Sequence, residues 1–235
     1  MKIVIAAAGK GTRLGELTKD KPKHIIEVAG RPFLSYLLDN IKKADFEEII
    51  VVGGYKINKM KEFLDSYDSS IRLVDQHEYI KDDSYGTACP IKAVKDFINE
   101  DFVFISGDNL FSDQDLVVFR NLDNDFNYIA GLQHDEPNNF GVLKKQDDFL
   151  EEIVEKPAEN VGNLINASLY KFTPEIFEVI EQINKSVRGE FEITDAVNLL
   201  ARQKKVKVVE LSDYWYDFGR PEQIKIIEDF LCKKL

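Results

Sequence analysis

The chain has little that would staple, anchor or metallate it: two cysteines, three histidines and one tryptophan in 235 residues. Cys89 and Cys232 lie far apart with no ligand-like spacing, which excludes a disulfide framework and a zinc ribbon, and both read as packing residues. His24, His77 and His134 are scattered without metal spacing and read as surface or packing positions. No apolar stretch approaches the roughly 18 residues of a membrane span, so no membrane partner is expected. The first apolar run, Ile3 to Ala8, is too short for a signal-peptide core, which points to a cytoplasmic location. Basic residues, 31 in all, are outnumbered by 42 acidic ones. A formal net charge of −11 argues against a nucleic-acid partner, because a polyanion is repelled by most of such a surface. No linker, low-complexity tract or internal repeat interrupts the chain.

What remains is an ordinary globular composition, 44% hydrophobic and 31% charged, consistent with one domain over residues 1–235. Charge reverses locally: residues 1–24 hold six basic side chains against two acidic ones, a formal +4 suited to a small polyanion.

Hydrophobic periodicity predicts a strand at Ile3–Ala7, a helix at Pro32–Lys43, a strand at Glu48–Val52, a helix at Lys56–Tyr67 and a strand at Ile71–Val74. A helix at Thr87–Phe97 and a strand at Asp101–Ser106 complete an alternating half, which implies a largely parallel sheet covered on both faces. The next segments, Tyr128–Leu132, Gly141–Lys145, Phe149–Val154 and Ile165–Phe172, are strand-like with little helix between them, as in an antiparallel extension. Helices are expected at Pro174–Ile183, Ile193–Gln203 and Pro221–Leu231, and a strand at Val206–Glu210. The division is thus an α/β half over about 1–110 and a mixed half over 111–235.

In an open α/β sheet, ligands gather at the carboxyl ends of the strands. The loop there reads Gly9-Lys10-Gly11-Thr12-Arg13-Leu14: glycines that let backbone amides approach phosphate oxygens, a hydroxyl and a guanidinium. Leu14 stands where a dinucleotide fingerprint needs its third glycine, and no lysine-terminated phosphate loop is present. A nicotinamide oxidoreductase is therefore disfavoured. A simple tight turn stays open on these residues alone.

Lys21-Pro22-Lys23 and Gly30-Arg31-Pro32 follow, and with the first loop they resemble the sugar-1-phosphate nucleotidyltransferases, the NDP-sugar pyrophosphorylases. The resemblance runs in order through Gln76, Tyr85-Gly86-Thr87-Ala88, Ser106-Gly107-Asp108-Asn109, Phe140-Gly141-Val142, Glu155-Lys156-Pro157, Asn166-Ala167, Gly189 to Asp195, and Trp215-Tyr216-Asp217-Phe218-Gly219. It implies a Rossmann-like nucleotidyltransferase fold, a mixed, mainly parallel sheet flanked by helices with an antiparallel extension. It also implies a magnesium-dependent reaction of a nucleoside triphosphate with a sugar 1-phosphate, giving an NDP-sugar and pyrophosphate. On this resemblance Ala8, Gly9, Gly11, Thr12, Arg13, Gln76, Gly86 and Thr87 bind the nucleotide, and Asp108 and Asp217 hold Mg2+. Asn109, Gly141, Glu155, Lys156 and Asn166 take the sugar phosphate, with Arg13, Lys23 and Lys156 as the catalytic cations.

Residue types and reaction agree, because two polyanions must be aligned and neutralised rather than a strong nucleophile generated. Gln76 favours a pyrimidine, hence UTP or dTTP. A guanylyltransferase of mannose- or heptose-type phosphates and a non-catalytic nucleotide-sugar-binding relative are the alternatives, and a homo-oligomer is compatible with the reading. No hexapeptide repeat follows, so the acyltransferase domain of bifunctional relatives is not expected.

Overall fold

The computed structural model describes residues 1–80 and 85–234. β1 (Lys2–Ala6) leads into two 3-10 turns, Thr12–Thr18 and Lys23–Ile25, then the ribbon of β2 (Glu27–Val28) and β3 (Arg31–Pro32), and α1 (Phe33–Lys43). β4 (Glu48–Gly53), α2 (Ile57–Tyr67), β5 (Arg72–Asp75), α3 (Gln76–Tyr79), α4 (Cys89–Ala93) and β6 (Phe102–Ser106) follow. Then come β7 (Asn109–Phe111), α5 (Asp113–Asn121), β8 (Asn127–Gln133), β9 (Gly141–Gln146), β10 (Phe149–Glu155) and β11 (Leu164–Phe172). The chain closes with α6 (Ile176–Ile180), α7 (Ile193–Ala201), β12 (Val206–Glu210), β13 (Trp215–Asp217) and α8 (Pro221–Lys234).

Nine strands form one sheet in the order β5-β4-β1-β6-β11-β8-β12-β10-β9, so both halves of the chain share it. β5, β4, β1 and β6 are parallel. β11 runs antiparallel to β6 and β8, and β10 antiparallel to β9. β12 enters between β8 and β10, parallel to β8. Side-chain alternation explains the double cover: Ile3 and Ile5 of β1 join one core while Val4 joins the other. The first core packs α1, α5 and α8 through residues such as Leu37, Phe119 and Ile227, and the second packs α4, α6 and α7 through Ile91, Ile180 and Leu200.

Several local expectations are corrected. The helix expected over Thr87–Phe97 is α4 plus a 3-10 turn at Lys95–Phe97, since Val94 (φ −103°, ψ 5°) leaves helical geometry between them. The helix expected over Pro174–Ile183 narrows to α6. α5 was not expected, because its polar sequence buries only Asp115, Leu116 and Phe119. A capping signal was present: the Ser112 hydroxyl accepts from the Asp115 N–H at 3.1 Å and donates to the Asp115 carboxylate at 2.9 Å. Cys89 is buried as expected, whereas Cys232 is exposed on α8. No helix among the described residues is long and apolar enough to cross a membrane.

Two contacts fix β13 against β7. Buried Asp115 accepts from the Ser212 N–H (2.9 Å), the Ser212 hydroxyl (3.0 Å) and the Asp213 N–H (3.2 Å), holding the chain just ahead of β13. Beyond it, fully buried Phe218 stacks on Phe33 of α1 with ring centroids 4.4 Å apart. Truncation by Phe218→Ala should lower the unfolding free energy by about 3–5 kcal/mol in urea titrations, the usual cost of emptying a buried phenylalanine site. A loss under about 1 kcal/mol would contradict this anchor.

Candidate active site

Parallel register brings the carboxyl ends of β1, β4 and β6 together, with Ala6 opposite both Val52 and Ser106. The loops after β1 and β6 meet where the Gly107 N–H donates to the Ala6 carbonyl at 2.9 Å. Within the first loop, Leu14 is buried and its N–H donates to the Gly11 carbonyl at 3.0 Å. Gly11 is left-handed (φ +64°), and a Cβ there would lie 2.9 Å from the Lys23 Cβ. Its missing side chain is thus what lets Lys23 pass inward. Gly9 shows no comparable constraint, and Ala8 serves the fold by accepting the Tyr55 N–H at 3.2 Å.

Lys23 ends on the Asp108 carboxylate in a largely buried ion pair. Asp217 sits beside it: β13 places Asp217 opposite Asn109 in the register with β7, and the Phe218 N–H donates to the Asp108 carbonyl at 2.7 Å. Asn109 Nδ2 donates to Asp217 Oδ1 at 3.3 Å, and Gln223 Nε2 to Asp217 Oδ2 at 2.8 Å. Gln223 is itself fixed, its Oε1 accepting the N–H groups of Gly219 and Arg220, both at 2.7 Å. Burial and the nearby Asp108 charge push the Asp217 carboxyl above the usual range. Burial is the largest influence on Asp108 and works against its ionised form, but the Lys23 charge and hydrogen bond, with smaller neighbouring contributions, together hold that carboxyl low.

On the facing wall, the β9–β10 register sets Gly141 opposite Glu155, and the Lys156 N–H donates to the Phe140 carbonyl at 3.0 Å. Lys156 adopts a left-handed backbone (φ +43°), unusual for a lysine, as the chain leaves β10. Asn166 is spoken for locally: its Nδ2 donates to the Tyr170 hydroxyl at 2.6 Å and its Oδ1 accepts the Ser168 N–H at 2.9 Å. That turn carries Ser168 at φ +60° and interrupts the β11–β8 register between Asn166 and Tyr170.

The turn at Gly86–Ala88 is braced from α7's entry. A Cβ on Gly86 would collide with the Phe191 backbone, and Thr87 Oγ1 accepts the Ile193 N–H at 2.9 Å. Gln76 is buried at the end of β5 with no partner for its Oε1 among the described residues.

A cavity of about 650 Å³ brings together Arg13, Lys23, Thr87, Gly141, Glu155, Lys156, Asn166 and Asp217 of the expected residues. Ala8, Gly9, Gly11, Thr12, Gln76, Gly86, Asp108 and Asn109 do not line it directly, although Gly11 and Asp108 touch Lys23, and Asn109 touches Asp217. Among the lining residues that the sequence reading does not single out are Arg188, Arg220 and Gln223. Arg188 and Gln223 each carry a local cue, the i,i+4 spacing to Glu192 and the third helical position from which a Gln caps a helix start, but their reach to Glu155 and Asp217 has none. The lining carries five basic side chains against six acidic ones, so it is close to neutral by itself.

The family model describing nucleotidyl transferases matches residues 2–234. A bifunctional protein GlmU of Methanocaldococcus jannaschii is 35% identical over 237 residues, covering 100% of this chain and 55% of that protein. The UTP–glucose-1-phosphate uridylyltransferase AglF of Haloferax volcanii is 36% identical over 229 residues, covering 94% of this chain and 93% of that one. The chain therefore spans about half the length of the bifunctional relatives and nearly all of AglF. A solved glucose-1-phosphate thymidylyltransferase of Bacillus anthracis has a TM-score of 0.83 at 27% identity, covering 98% of this chain and 94% of its own. A UDP-glucose pyrophosphorylase solved with UDP-glucose shares the fold, with a TM-score of 0.85 at 22% identity and coverage of 100% and 99%.

His24, beside Lys23, is buried with its Nδ1 lacking a partner among the described residues. Burial, then the Lys23 charge, lowers its pKa to about 3 from an ordinary 6.5. Between these values the unfolded chain binds a proton that the folded one refuses, so this contribution to stability is complete above pH 6.5 and is lost as pH falls towards 3. Unfolding titrations from pH 7 to 4 should show the wild type losing stability more steeply than His24→Met, by up to about 1.4 kcal/mol per pH unit. Equal slopes would contradict a neutral buried imidazole.

Proposed function

The chain belongs to the nucleotidyl transferase family, and from that premise we propose that it joins a sugar 1-phosphate to a nucleoside triphosphate, releasing pyrophosphate. One observation carries the reading: Arg13 and Lys23 from the loop after β1 face Glu155 and Lys156 from the end of β10 across a single cavity, with Asp217 on its wall. A phosphate oxygen of the sugar attacks the α-phosphorus, and the bond to the β,γ-pyrophosphate breaks on the opposite side. Arg13 stabilises the triphosphate and the charge that departs with pyrophosphate, and Lys23 neutralises the α-phosphate region. Lys156 steers the sugar phosphate to that region, while Glu155 accepts from sugar hydroxyls.

A divalent cation fits this site. Two carboxylates, Asp108 and Asp217, lie close enough for one to raise the other's pKa, and the Lys23 ammonium pairs with Asp108 while the Lys23 and Arg13 charges act on Asp217. No cluster of three or more His, Cys, Asp or Glu side chains occurs among the described residues. Two carboxylates with the remaining positions left to phosphate oxygens and water suit Mg2+, which keeps much of its hydration. When bound there, the ion would neutralise phosphate charge that the near-neutral lining cannot. Asn109 and Gln223 orient Asp217 for that role.

For the base, UTP or dTTP is favoured by the motif that places Gln76 on the nucleotide side; its Oε1 is buried without a partner among the described residues but lies outside the cavity lining. The uridylyltransferase AglF, which this chain matches almost end to end, supports the same class and glucose 1-phosphate as the first sugar to test.

Pyrophosphate release should be measured with Mg2+ and UTP, dTTP, GTP or ATP against glucose, N-acetylglucosamine and mannose 1-phosphates. Release with UTP or dTTP is expected, and its absence across the panel would sink the catalytic reading in favour of a binding relative. Asp108→Asn or Asp217→Asn should each lower kcat by about 10²–10³-fold, the scale of one preorganised electrostatic group. Retention of more than a third of wild-type turnover would remove that residue from the metal site.

A further inference from the structure

The segment Ser186–Ile193 touches both walls of the cavity, and one buried side chain makes most of the connection. Glu192 is 5% exposed. Its Oε1 accepts from the Ser186 hydroxyl at 3.1 Å and from Arg188 Nη2 at 2.8 Å, and its Oε2 lies 3.5 Å from Thr87 Oγ1. Arg188 Nη2 also reaches Glu155 Oε1 at 3.4 Å, so the guanidinium is held by one corner between the loop and the sugar-side wall. At the other end, the Phe191 N–H donates to the Tyr85 carbonyl at 2.8 Å and the Ala88 N–H to the Phe191 carbonyl at 3.0 Å. Glycine at 86 is what permits this close strand-like approach. Thr87 and Arg188 thus meet on one carboxylate although 101 positions separate them in the chain.

We propose that Glu192 is a positioning residue that couples the two substrates: it ties the turn at Gly86–Ala88 to Arg188, so that ordering the nucleotide side sets the guanidinium beside Glu155 for the sugar phosphate. The proposal rests on the nucleotidyltransferase reading. A buried carboxylate sharing an arginine, a serine and a threonine contact has few alternative arrangements, because each lost partner leaves a polar group unpaired. Any shift of the Phe191 backbone that accompanies nucleotide binding is therefore passed to Arg188 rather than absorbed. The link works in both directions, and each substrate tightens the other by the same factor.

The experiment uses the triphosphate and sugar 1-phosphate that release pyrophosphate fastest in the panel above. Initial rates over a matrix of both concentrations give each KM and their mutual dependence in the wild type, Glu192→Gln, Arg188→Met and the double variant. Glu192→Gln keeps the shape and the hydroxyl contacts but removes the charge that holds Arg188. The expected result is a KM for the sugar phosphate raised about tenfold, a triphosphate KM measured without saturating sugar phosphate within twofold, and loss of the mutual dependence. The double variant should be no worse than Arg188→Met alone, because both changes cut one link. A sugar-phosphate KM within twofold of wild type, or additive effects in the double variant, overturns the proposal. Should Glu192→Gln not fold, the same mutual dependence is read in Thr87→Val, where its loss supports the link and its retention overturns it. If no pair in the panel releases pyrophosphate, the catalytic reading fails first and this inference falls with it.

Discussion

Asp108 and Asp217 are brought side by side in a largely buried cleft, and like charges held this close require a counter-charge or a shared proton. Everything near them answers that requirement. Lys23 supplies one positive charge, and Gly11 lacks the side chain that would block its path. Asn109 and Gln223 occupy Asp217 with neutral donors that orient it without cancelling its charge. Burial first, and the Asp108 charge second, still hold the Asp217 carboxyl above its usual range after these contacts. In the proposed reaction a divalent ion held by Asp108 and Asp217 would supply the counter-charge and would offset the repulsion between the two anionic substrates.

The fold converts this local problem into a two-sided site. Parallel β1 and β6 deliver the basic loop and Asp108 to one edge of the sheet, while antiparallel β9 and β10 deliver Glu155 and Lys156 across from them. Asp217 arrives last in the chain, on a three-residue strand too short to be stable by itself. Its position is borrowed from Asp115 and from Phe218 stacked on Phe33. Hydrophobic burial remote from the cleft therefore sets a carboxylate within it, which is how core packing and chemistry are linked here.

Much of this architecture is legible in the sequence. The unbroken apolar runs of β1, β4 and β6 mark strands buried on both faces, and the basic loop after β1 supplies Arg13 and Lys23 to the cavity. The helix α5 carried a readable Ser112–Asp115 cap that hydrophobic periodicity overlooked. Other features had no local signature. The insertion of β12 between β8 and β10 is a tertiary decision, as is the meeting of Arg188 with Glu155 and of Glu192 with Thr87. Gln223 reads as an ordinary first-turn residue of α8 until its amide is seen bridging Gly219 and Asp217. Asn166, assigned to the sugar from its motif, spends both ends of its amide on Ser168 and Tyr170.

The central claim is that cations and carboxylates from both halves of the sheet form one site spanned by a single nucleotide sugar. Amide hydrogen exchange with and without UDP-glucose and Mg2+ tests this most directly. The account predicts slowed exchange at residues 9–14 and at 153–157 together, with both effects reduced when Mg2+ is chelated. Protection confined to one of the two segments, or binding indifferent to the metal, would contradict it.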